Sequence, residues 1–440
     1  MNAMGPDVGR RCAELERVII HARSHFTACA LVTLALLVYG CTGIVRTDAT
    51  LTLGDIAGET TVVEWELLTR FGERVSQRRV ANPRILACLL GYLKEAKAAG
   101  LPGKENWAEY NLSFELRGGR KVRLRYLVRD LSRCDPGYLE FPQGWYEVPG
   151  QFNILMEALT EYPGGSEDVD PQDEAFLRRY GWTPAFRINT LTVTLPAEFR
   201  HRAGEYPVVL YWAYNNELNR DVGLDLTPAL GRVVEVRMYK VAEALPEFMG
   251  PRREAGRAVI VRYRGEIVGA WLDAGRHWGF ACSLRGRSFE EVTGETWEEW
   301  IPLLIDPEHP VEKELSRLSP DGLIRRYFQA VNAGDHAGAH ACESRRALAG
   351  YLFRNMDNRS LYNSGYPREG NIAGFRVISV ARAKHLESGL PAGTQCYQVV
   401  VDVEPKEPIA YDSRRQQFFI EVRRETDATG WRIECIGTGP

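Results

Sequence analysis

The feature that most constrains this chain is an uncharged segment near its N-terminus. Residues 24–45, between Arg23 and Arg46, contain no Asp, Glu, Lys or Arg, and a strongly apolar stretch of 15 residues ends at Gly40. A transmembrane helix needs about 20 apolar residues, whereas the core of a signal peptide has about 7–15. Because the arginine-bearing side stays in the cytoplasm, we predict that residues 1–40 are a signal peptide and that the rest is exported.

The end of this segment resembles a bacterial lipoprotein signal. Residues 38–41 read Val-Tyr-Gly-Cys, an aliphatic residue, a variable one, a small one and the cysteine whose thiol would receive the lipid. Two acyl chains on Cys41 would hold the protein at a membrane, because a single myristoyl chain binds only marginally. We therefore predict a lipid anchor on the extracytoplasmic face of the cell membrane. The alternative is an uncleaved helix over 24–45 that anchors an ectodomain.

Composition excludes several classes of protein and of partner. The chain has 440 residues, of which 45% are hydrophobic and 26% charged, as in soluble globular proteins rather than disordered or polytopic membrane proteins. Lys and Arg number 55 against 58 Asp and Glu, so the net charge is −3. Nucleic-acid binding domains are usually strongly basic, and we predict no nucleic-acid partner.

The spacing of the cysteines says less about the protein than its N-terminal segment does. Six cysteines follow Cys41, and no two of them lie within ten residues of each other, so the chain has no CxxC redox or zinc motif. Their pairing cannot be read from the sequence. Cys88 shares an apolar helix face and Cys435 an apolar strand face, and we expect both to be buried free thiols.

Residues 163–168 predict a linker after the first domain. They combine turn-forming and acidic residues (Pro, Gly, Gly, Ser, Glu, Asp) without an apolar side chain. Upstream, residues 47–163 predict a small α+β domain. Its expected elements are helices over 83–99 and 151–159 and strands over 61–68, 110–116, 121–127 and 137–141.

Residues 172–315 predict a second, strand-rich α+β domain. Its expected strands cover 191–195, 208–214, 233–239, 258–263 and 266–272. The runs YNNELNRDVGLDL and AVIVRYRGEIVGAWL resemble an uncharacterised domain family of Gram-positive bacteria, and the resemblance implies no catalytic residues. Four tryptophans crowd the end of the domain, where we expect a lid on the core rather than a platform for stacking sugars: Trp271, Trp278, Trp297 and Trp300.

Residues 319–440 predict a third domain, in which two helices precede an antiparallel sheet. The helices are expected from the Ser319 cap and over 336–353, and the strands over 374–381, 396–403, 417–423 and 431–436. The opening IRRYFQAVNAGD and the closing GWRIECIGTGP resemble the nuclear-transport-factor-2-like superfamily, in particular an uncharacterised subfamily attached to Gram-positive lipoproteins. The resemblance implies a cone-shaped domain with a curved sheet. The predicted fold class is therefore multidomain α+β, with this cone after two smaller strand-rich α+β domains.

The same resemblance implies a pocket between the first helix and the sheet. Strand alternation and helix position select the side chains expected to line it: Tyr327, Phe328, Tyr397, Val399 and Val401. Asp402 alternates to the other face, and His385 is the other titratable group expected nearby. A pocket with apolar walls and no carboxylate can bind a ligand but has little means of acid–base catalysis.

No motif in the sequence identifies an enzyme. HExxH, Walker A, GxGxxG, GxSxG and SxxK sequences are absent. His336, His340 and Glu343 have helical spacing that suits a metal ion, but a solvated surface is the favoured interpretation. We predict no catalytic residue, metal or cofactor, and a non-enzymatic lipoprotein that binds a small ligand or an envelope protein. The alternative is a hydrolase or lyase that uses the C-terminal pocket.

The anchor prediction is tested at Cys41. The Cys41→Ala variant should accumulate as unprocessed precursor, because the thiol that accepts the lipid is lost. Labelled fatty acid should enter the native protein and not the variant, as seen by gel mobility and autoradiography. Unchanged mobility together with an unlabelled native protein would favour the uncleaved helix.

Overall fold

The computed structural model describes residues 51–68, 74–103, 107–129, 135–161, 168–205, 207–274, 280–355, 372–405 and 415–438. The predicted signal peptide and Cys41 lie outside these residues. The described chain forms three antiparallel sheets with helices packed against them, so the protein is multidomain α+β, as its sequence predicts. No helix within the described ranges is long and apolar enough to cross a bilayer.

The first sheet has seven strands in the order β2-β1-β4-β5-β6-β7-β3. They are β1 (Thr60–Leu68), β2 (Arg74–Val80), β3 (Lys97–Ala99), β4 (Ala108–Leu116), β5 (Lys121–Val128), β6 (Gly137–Phe141) and β7 (Gly144–Val148). Its helices are α1 (Leu53–Glu59), α2 (Pro83–Lys94) and α3 (Gly150–Glu161). Helix α2 is shorter than the expected 83–99, because its last residues leave the helix and pair with β7 as strand β3.

The second sheet has four strands in the order β11-β10-β9-β8. They are β8 (Pro184–Thr194), β9 (Val233–Val241), β10 (Arg257–Tyr263) and β11 (Glu266–Asp273). Its helices are α4 (Pro171–Arg178), α5 (Val208–Arg220), α6 (Phe289–Thr293), α7 (Trp297–Trp300) and α8 (Pro310–Leu315), with 3-10 helices at Thr227–Ala229, Glu247–Ala255 and Ile301–Leu304. Arg264 and Gly265 both have positive φ, 52° and 86°, which suits the tight turn between β10 and β11.

The third sheet has four strands in the order β12-β13-β14-β15. They are β12 (Ile372–Arg382), β13 (Gln395–Pro405), β14 (Arg415–Thr426) and β15 (Gly430–Gly437). Three helices precede them, α9 (Pro320–Asn332), α10 (His336–Ala341) and α11 (Arg345–Asn355), and a 3-10 helix covers Lys384–Gly389. Ser319 caps α9 by accepting a hydrogen bond from the Gly322 N–H at 3.2 Å.

The apolar core continues across the predicted linker after residue 163. One cluster of buried side chains includes Trp65 of the first sheet, Trp212 of α5 and Trp271 of β11. Helix α2 contacts both β1 and β8, and α3 contacts the 3-10 helix that begins at Glu247. The boundaries of the three domains stay predictions. The first two parts nevertheless share one continuous core.

The segment expected to be a strand over 208–214 is the start of helix α5. Its valine and aromatic residues favour a strand by composition. The helix buries side chains all around its axis, so its sequence lacks the periodicity of an amphipathic helix. Asn216 and Asn219, one turn apart, accept hydrogen bonds at 2.7 Å from the backbone N–H groups of Leu226 and Ala270. These buried acceptors fix the helix against β11 and the loop before β9.

The helix expected over 336–353 is two helices, α10 and α11. The break follows Ala341, where the chain pairs with strand β15. The Ile433 N–H donates to the Cys342 carbonyl oxygen at 2.8 Å, and the Ser344 N–H donates to the Ile433 carbonyl oxygen at 2.9 Å. A pairing with a distant strand thus replaces hydrogen bonds within one helix.

The expectation that Cys435 is buried is wrong. Strand β15 carries a bulge at Glu434, between Ile433 and Cys435, which changes the register against β14. A bulge interrupts the alternation of side chains between the two faces. Ile433 is therefore buried and Cys435 exposed. Cys88 is half-buried, and the cysteines in the described part of the chain are free thiols.

A cluster of buried charges joins the second and third parts. Glu312 of α8 lies between Arg345 of α11 and Arg432 of β15, and the three residues are 0%, 1% and 0% exposed. The distance from Arg432 Nη2 to Glu312 Oε2 is 2.5 Å. A second carboxylate, Glu425 of β14, contacts Arg345 Nη1 at 2.7 Å. Burial of arginine is costly and lowers the pKa of both guanidinium groups, so these carboxylates are needed to compensate it.

His201, on the loop after β8, extends this cluster. Its Nδ1 accepts a hydrogen bond from Arg345 Nε at 3.2 Å, and its Nε2 lies 3.0 Å from the Glu205 carbonyl oxygen. Burial, and secondarily the charge of Arg345, lower the pKa of His201 to about 3. The imidazole is therefore neutral near pH 7, with the proton on Nε2 and a free lone pair for the arginine.

Two glycines permit the close approach of backbones at this junction. Gly430, with φ of 76°, leaves so little space that an added Cβ would lie 2.9 Å from Ser316 Cα. At Gly204, with φ of 85°, an added Cβ would lie 2.8 Å from the Ala337 carbonyl oxygen. Real Cβ atoms do not approach backbone so closely. The loops of the second part therefore pack directly onto α10 and the β14–β15 turn.

The register of β13 predicts unequal effects of two neighbouring substitutions. Val401 is fully buried, whereas Asp402 pairs with the exposed Arg376 and Arg415 on the other face. The Val401→Asp variant should lose about 3–5 kcal/mol, because its carboxylate would be buried without a partner. The Asp402→Val variant should melt close to the native protein. Calorimetry of the two purified variants checks this, and equal melting temperatures would contradict the register.

Glu312 gives a second stability prediction. The Glu312→Ala variant should lose about 3–5 kcal/mol, because it leaves two buried arginines without their shared carboxylate. The matched control is Glu314→Ala in the same helix, where the side chain is 61% exposed and lies 3.6 Å from Arg326. Denaturant unfolding measures both variants. A loss for Glu312→Ala no larger than that of the control would show that the cluster does not stabilise the junction.

Candidate functional site

Tyr214 is placed by helix α5 at the edge of the second part's aromatic core. Tyr214 is 3% exposed, and its Oη donates a hydrogen bond to the Ala281 carbonyl oxygen at 3.2 Å. Burial raises the pKa of the Tyr214 hydroxyl well above its ordinary value. The hydroxyl therefore stays protonated and serves as a fixed donor rather than as a base.

Two short helices with similar opening sequences pack beside it. Helix α6 opens on Ser-Phe-Glu-Glu and α7 on Thr-Trp-Glu-Glu. In both, the first residue is the N-cap and the fourth completes a capping box. Ser288 Oγ accepts from the Glu291 N–H at 3.2 Å, and Thr296 Oγ1 from the Glu299 N–H at 3.3 Å. Hydrogen bonds from Thr296 lower the pKa of Glu299.

The aromatic residues of these helices stack on their neighbours. Phe289 of α6 lies nearly parallel to Tyr214, with ring centroids 4.5 Å apart and planes at 12°. Trp297 of α7 lies against Phe280, with centroids 4.7 Å apart and planes at 39°. Behind Trp297 lies helix α11, where a Cβ added to Gly350 would be 3.9 Å from the indole ring, an ordinary van der Waals distance. The Phe289–Tyr214 pair is buried, whereas Trp297 is half-buried and leaves ring surface exposed.

These elements enclose a cleft of about 390 Å³. Its apolar walls are mainly aromatic: Tyr214, Phe248, Met249, Phe280, Phe289 and Trp297. Its polar side chains are two hydroxyls and two carboxylates: Ser288, Thr296, Glu290 and Glu298. Phe248 is 53% exposed, although it is a large apolar side chain. A cleft of this size with mostly apolar walls and a few polar groups is typical of a small-molecule site.

The two carboxylates occupy the same position in their helices, the second residue after the cap. Glu290 and Glu298 are both exposed, whereas the next residues, Glu291 and Glu299, bind the cap backbone. Neither Glu290 nor Glu298 has an ion-pair partner in the described part of the chain, and no Lys or Arg of that part lines the cleft. The described lining of the cleft therefore carries two carboxylates and no cationic side chain.

The side chains that line the cleft are better suited to binding a ligand than to catalysis. Among the described lining residues, the Ser288 and Thr296 hydroxyls hold their helix caps, and Tyr214 donates to a backbone carbonyl. The described lining includes no histidine, cysteine or lysine that could activate a nucleophile. Among the described lining residues, the exposed Phe248, the half-buried Trp297 and the two exposed carboxylates are what a ligand could contact.

The side chains expected to line a C-terminal pocket lie in the core of the third sheet. Phe328, Val399 and Val401 are 3%, 0% and 0% exposed and belong to one buried cluster, with Tyr327 and Tyr397 half-buried against it. His385 lies in the 3-10 helix after β12 and is exposed. That these residues line a ligand pocket stays a prediction.

The histidines considered as metal ligands lie on α10. His340 Nδ1 is 3.4 Å from Glu343 Oε1, and His336 precedes it by one turn. Within the described residues, no group of three or more His, Cys, Asp or Glu side chains is placed to hold a metal ion.

The tryptophans divide between core and cleft. Trp271 and Trp300 are 0% and 7% exposed and belong to the buried core, whereas Trp297 is half-buried and lines the cleft. Trp278 lies outside the described residues. The expectation of a core lid thus describes two of these side chains, and the third belongs to the candidate site.

Sequence analysis did not find the two carboxylates, although a signal was present. The run SFEEVTGETWEEW repeats the order hydroxyl, aromatic, Glu, Glu within 12 residues, Ser288 to Glu299. Two capping boxes so close together predict two adjacent helix starts. In each, the fourth residue is used by the cap and the third is left free. No comparable pattern pointed to Tyr214, because the sequence predicted a strand where helix α5 begins.

Comparisons with known families identify two segments and no function. Residues 176–272 match the model of a domain of unknown function, DUF4830, and residues 322–437 match another, DUF4829. No curated protein matches the chain. The helices α6 and α7 lie between the two matched segments, whereas Tyr214 lies within the first.

Proposed function

We propose that the protein is an extracytoplasmic lipoprotein, anchored through Cys41, that binds a small ligand or a side chain of an envelope protein without catalysis. The observation that carries this proposal is the cleft of about 390 Å³, with aromatic walls and with its hydroxyls held in helix caps. The location rests on the uncharged segment over 24–45 and its Val-Tyr-Gly-Cys ending.

The cleft is a better ligand site than the core of the third sheet. Ligands need apolar surface that water reaches before binding, and Phe248 and Trp297 supply it at the cleft. Val399 and Val401 are already fully buried, so their contacts stabilise the fold and offer no surface to a ligand.

The proposal is tested with a library of small soluble compounds observed by saturation-transfer NMR. Compounds that bind the native protein should bind the Trp297→Ala variant about tenfold more weakly, because the largest aromatic face of the cleft is gone. The matched control is Trp107→Ala, a half-buried tryptophan just before β4 whose ring meets that of Tyr138 edge-to-face. The proposal fails if no compound binds, or if both variants bind every compound equally.

A further inference from the structure

We infer that protonation of His201 opens the junction between the second and third parts of the protein, so that mild acid weakens this junction. The imidazole lies on the junction loop, residues 200–205, between strand β8 and helix α5. The inference goes beyond the proposed function, because the contact lies outside the cleft and does not depend on which ligand the cleft binds.

The junction loop is held by both parts of the protein. The His201 N–H donates to the Leu304 carbonyl oxygen at 2.8 Å, and the Asp306 N–H donates to the His201 carbonyl oxygen at 3.3 Å. These bonds fix the loop to the second part. Ala203, two residues later, is 7% exposed and belongs to the apolar core of the third sheet. A displacement of this loop would therefore break contacts between the two parts.

Both nitrogens of the His201 ring are used in a way that only the neutral ring allows. Arg345 Nε donates to Nδ1 at 3.2 Å, and Nε2 lies 3.0 Å from the Glu205 carbonyl oxygen, which can only accept. A proton added to Nδ1 would meet the N–H group of Arg345, and an arginine does not give up its own proton. Protonation therefore replaces a hydrogen bond with a contact between two donors and two positive charges.

The carboxylates on the neighbouring elements are engaged by arginines rather than by the imidazole. Arg345 Nη1 contacts Glu425 of β14 at 2.7 Å. Arg345 Nη2 contacts Glu312 of α8, which also binds Arg432 of β15. In the described part of the chain, no carboxylate makes a hydrogen bond or an ion pair with His201. An added positive charge on the ring would thus have no partner of its own.

The charged side chains of the loop and its surroundings are paired as well. Arg202 lies within ion-pair distance of Glu198, Glu205 and Asp306. The Glu205 group that meets the imidazole is the backbone carbonyl, while its carboxylate contacts Arg202. Among charged groups, Arg345 is the one whose charge acts on His201, and it acts against protonation.

The direction of the acid response follows from the two states of the ring. Burial, and secondarily the charge of Arg345, lower the pKa of His201 from its ordinary 6.5 to about 3. In an opened junction the ring returns to water and to its ordinary pKa. Between these two values the open form binds more protons than the closed form, so acidification favours opening. The closed junction keeps its full stability above about pH 6.5, and its opening constant should rise about twentyfold from about pH 7 to about pH 5.

Hydrogen exchange measured by mass spectrometry on the full chain tests this inference. Two reporter amides are hydrogen bonded at the junction, those of His201 and Arg345. After correction for the intrinsic exchange rate, peptides that contain them should lose about twentyfold in protection factor between about pH 7 and about pH 5. Peptides of the β4–β5 hairpin should keep their protection. Free aspartate and glutamate stay mostly ionised in this range, so they contribute little.

The His201→Gln variant should lose the acid response. Its amide can accept from Arg345 and donate to a carbonyl oxygen, and it does not titrate. The quantity compared is the ratio of protection at the two pH values within each protein, so a uniform loss of protection in the variant does not affect the result. The matched control is His385→Gln, an exposed histidine of the third part, which should keep the response.

Three outcomes overturn the inference. The first is equal protection of the junction peptides at both pH values in the native protein, a measurement that needs no variant. The second is an equal acid response of the β4–β5 hairpin, which would show that the whole fold is acid-labile. The third is a response that persists in His201→Gln. None of them bears on ligand binding at the cleft, which the Trp297→Ala variant tests separately.

Discussion

Glu312 holds two arginines in the interior of the protein, and the junction between the second and third parts depends on that contact. Arg432 and Arg345 come from β15 and α11, and neither could be buried without the shared carboxylate. Arg345 is the first residue of α11, so the cluster fixes where that helix begins. Helix α11 then contacts α5 and lies behind Trp297. Helix α11 thus connects the buried charge cluster with the region behind Trp297.

The glutamates beside the cleft are of two kinds, those that complete helix caps and those that are exposed. The capping boxes of α6 and α7 use one glutamate each to satisfy backbone N–H groups that would otherwise lack partners. The other glutamate of each helix is left to solvent or to a ligand. Because the helices are only five and four residues long, they gain little from their own hydrogen bonds. Packing of Phe289 and Trp300 into the core keeps them in place.

Much of the fold could be predicted from local pattern. Strict alternation predicted the β4–β5 hairpin, and the Arg264-Gly265 turn predicted the pairing of β10 with β11. The predictions failed where burial on all sides removed the amphipathic periodicity, or where pairing with a distant strand or a bulge changed the local structure. Helix α5 is buried on all sides, α10 ends where the chain pairs with Ile433, and a bulge at Glu434 exposes Cys435. Of the candidate site, the sequence analysis singled out only Trp297, which it assigned to a lid on the core, and it did not single out the carboxylates.

The sequence by itself determined the α+β class, most strands and the caps of α2 and α9, because these depend on residues within one turn or one hairpin. The predictions of export and of a lipid on Cys41 likewise rest on local charge and length, and they stay predictions. Only the tertiary structure decided that Tyr214, Phe280 and Trp297 share one cleft and that Glu312 meets two distant arginines. The physical reason is that these contacts join residues far apart in the chain, and local sequence patterns do not predict such contacts.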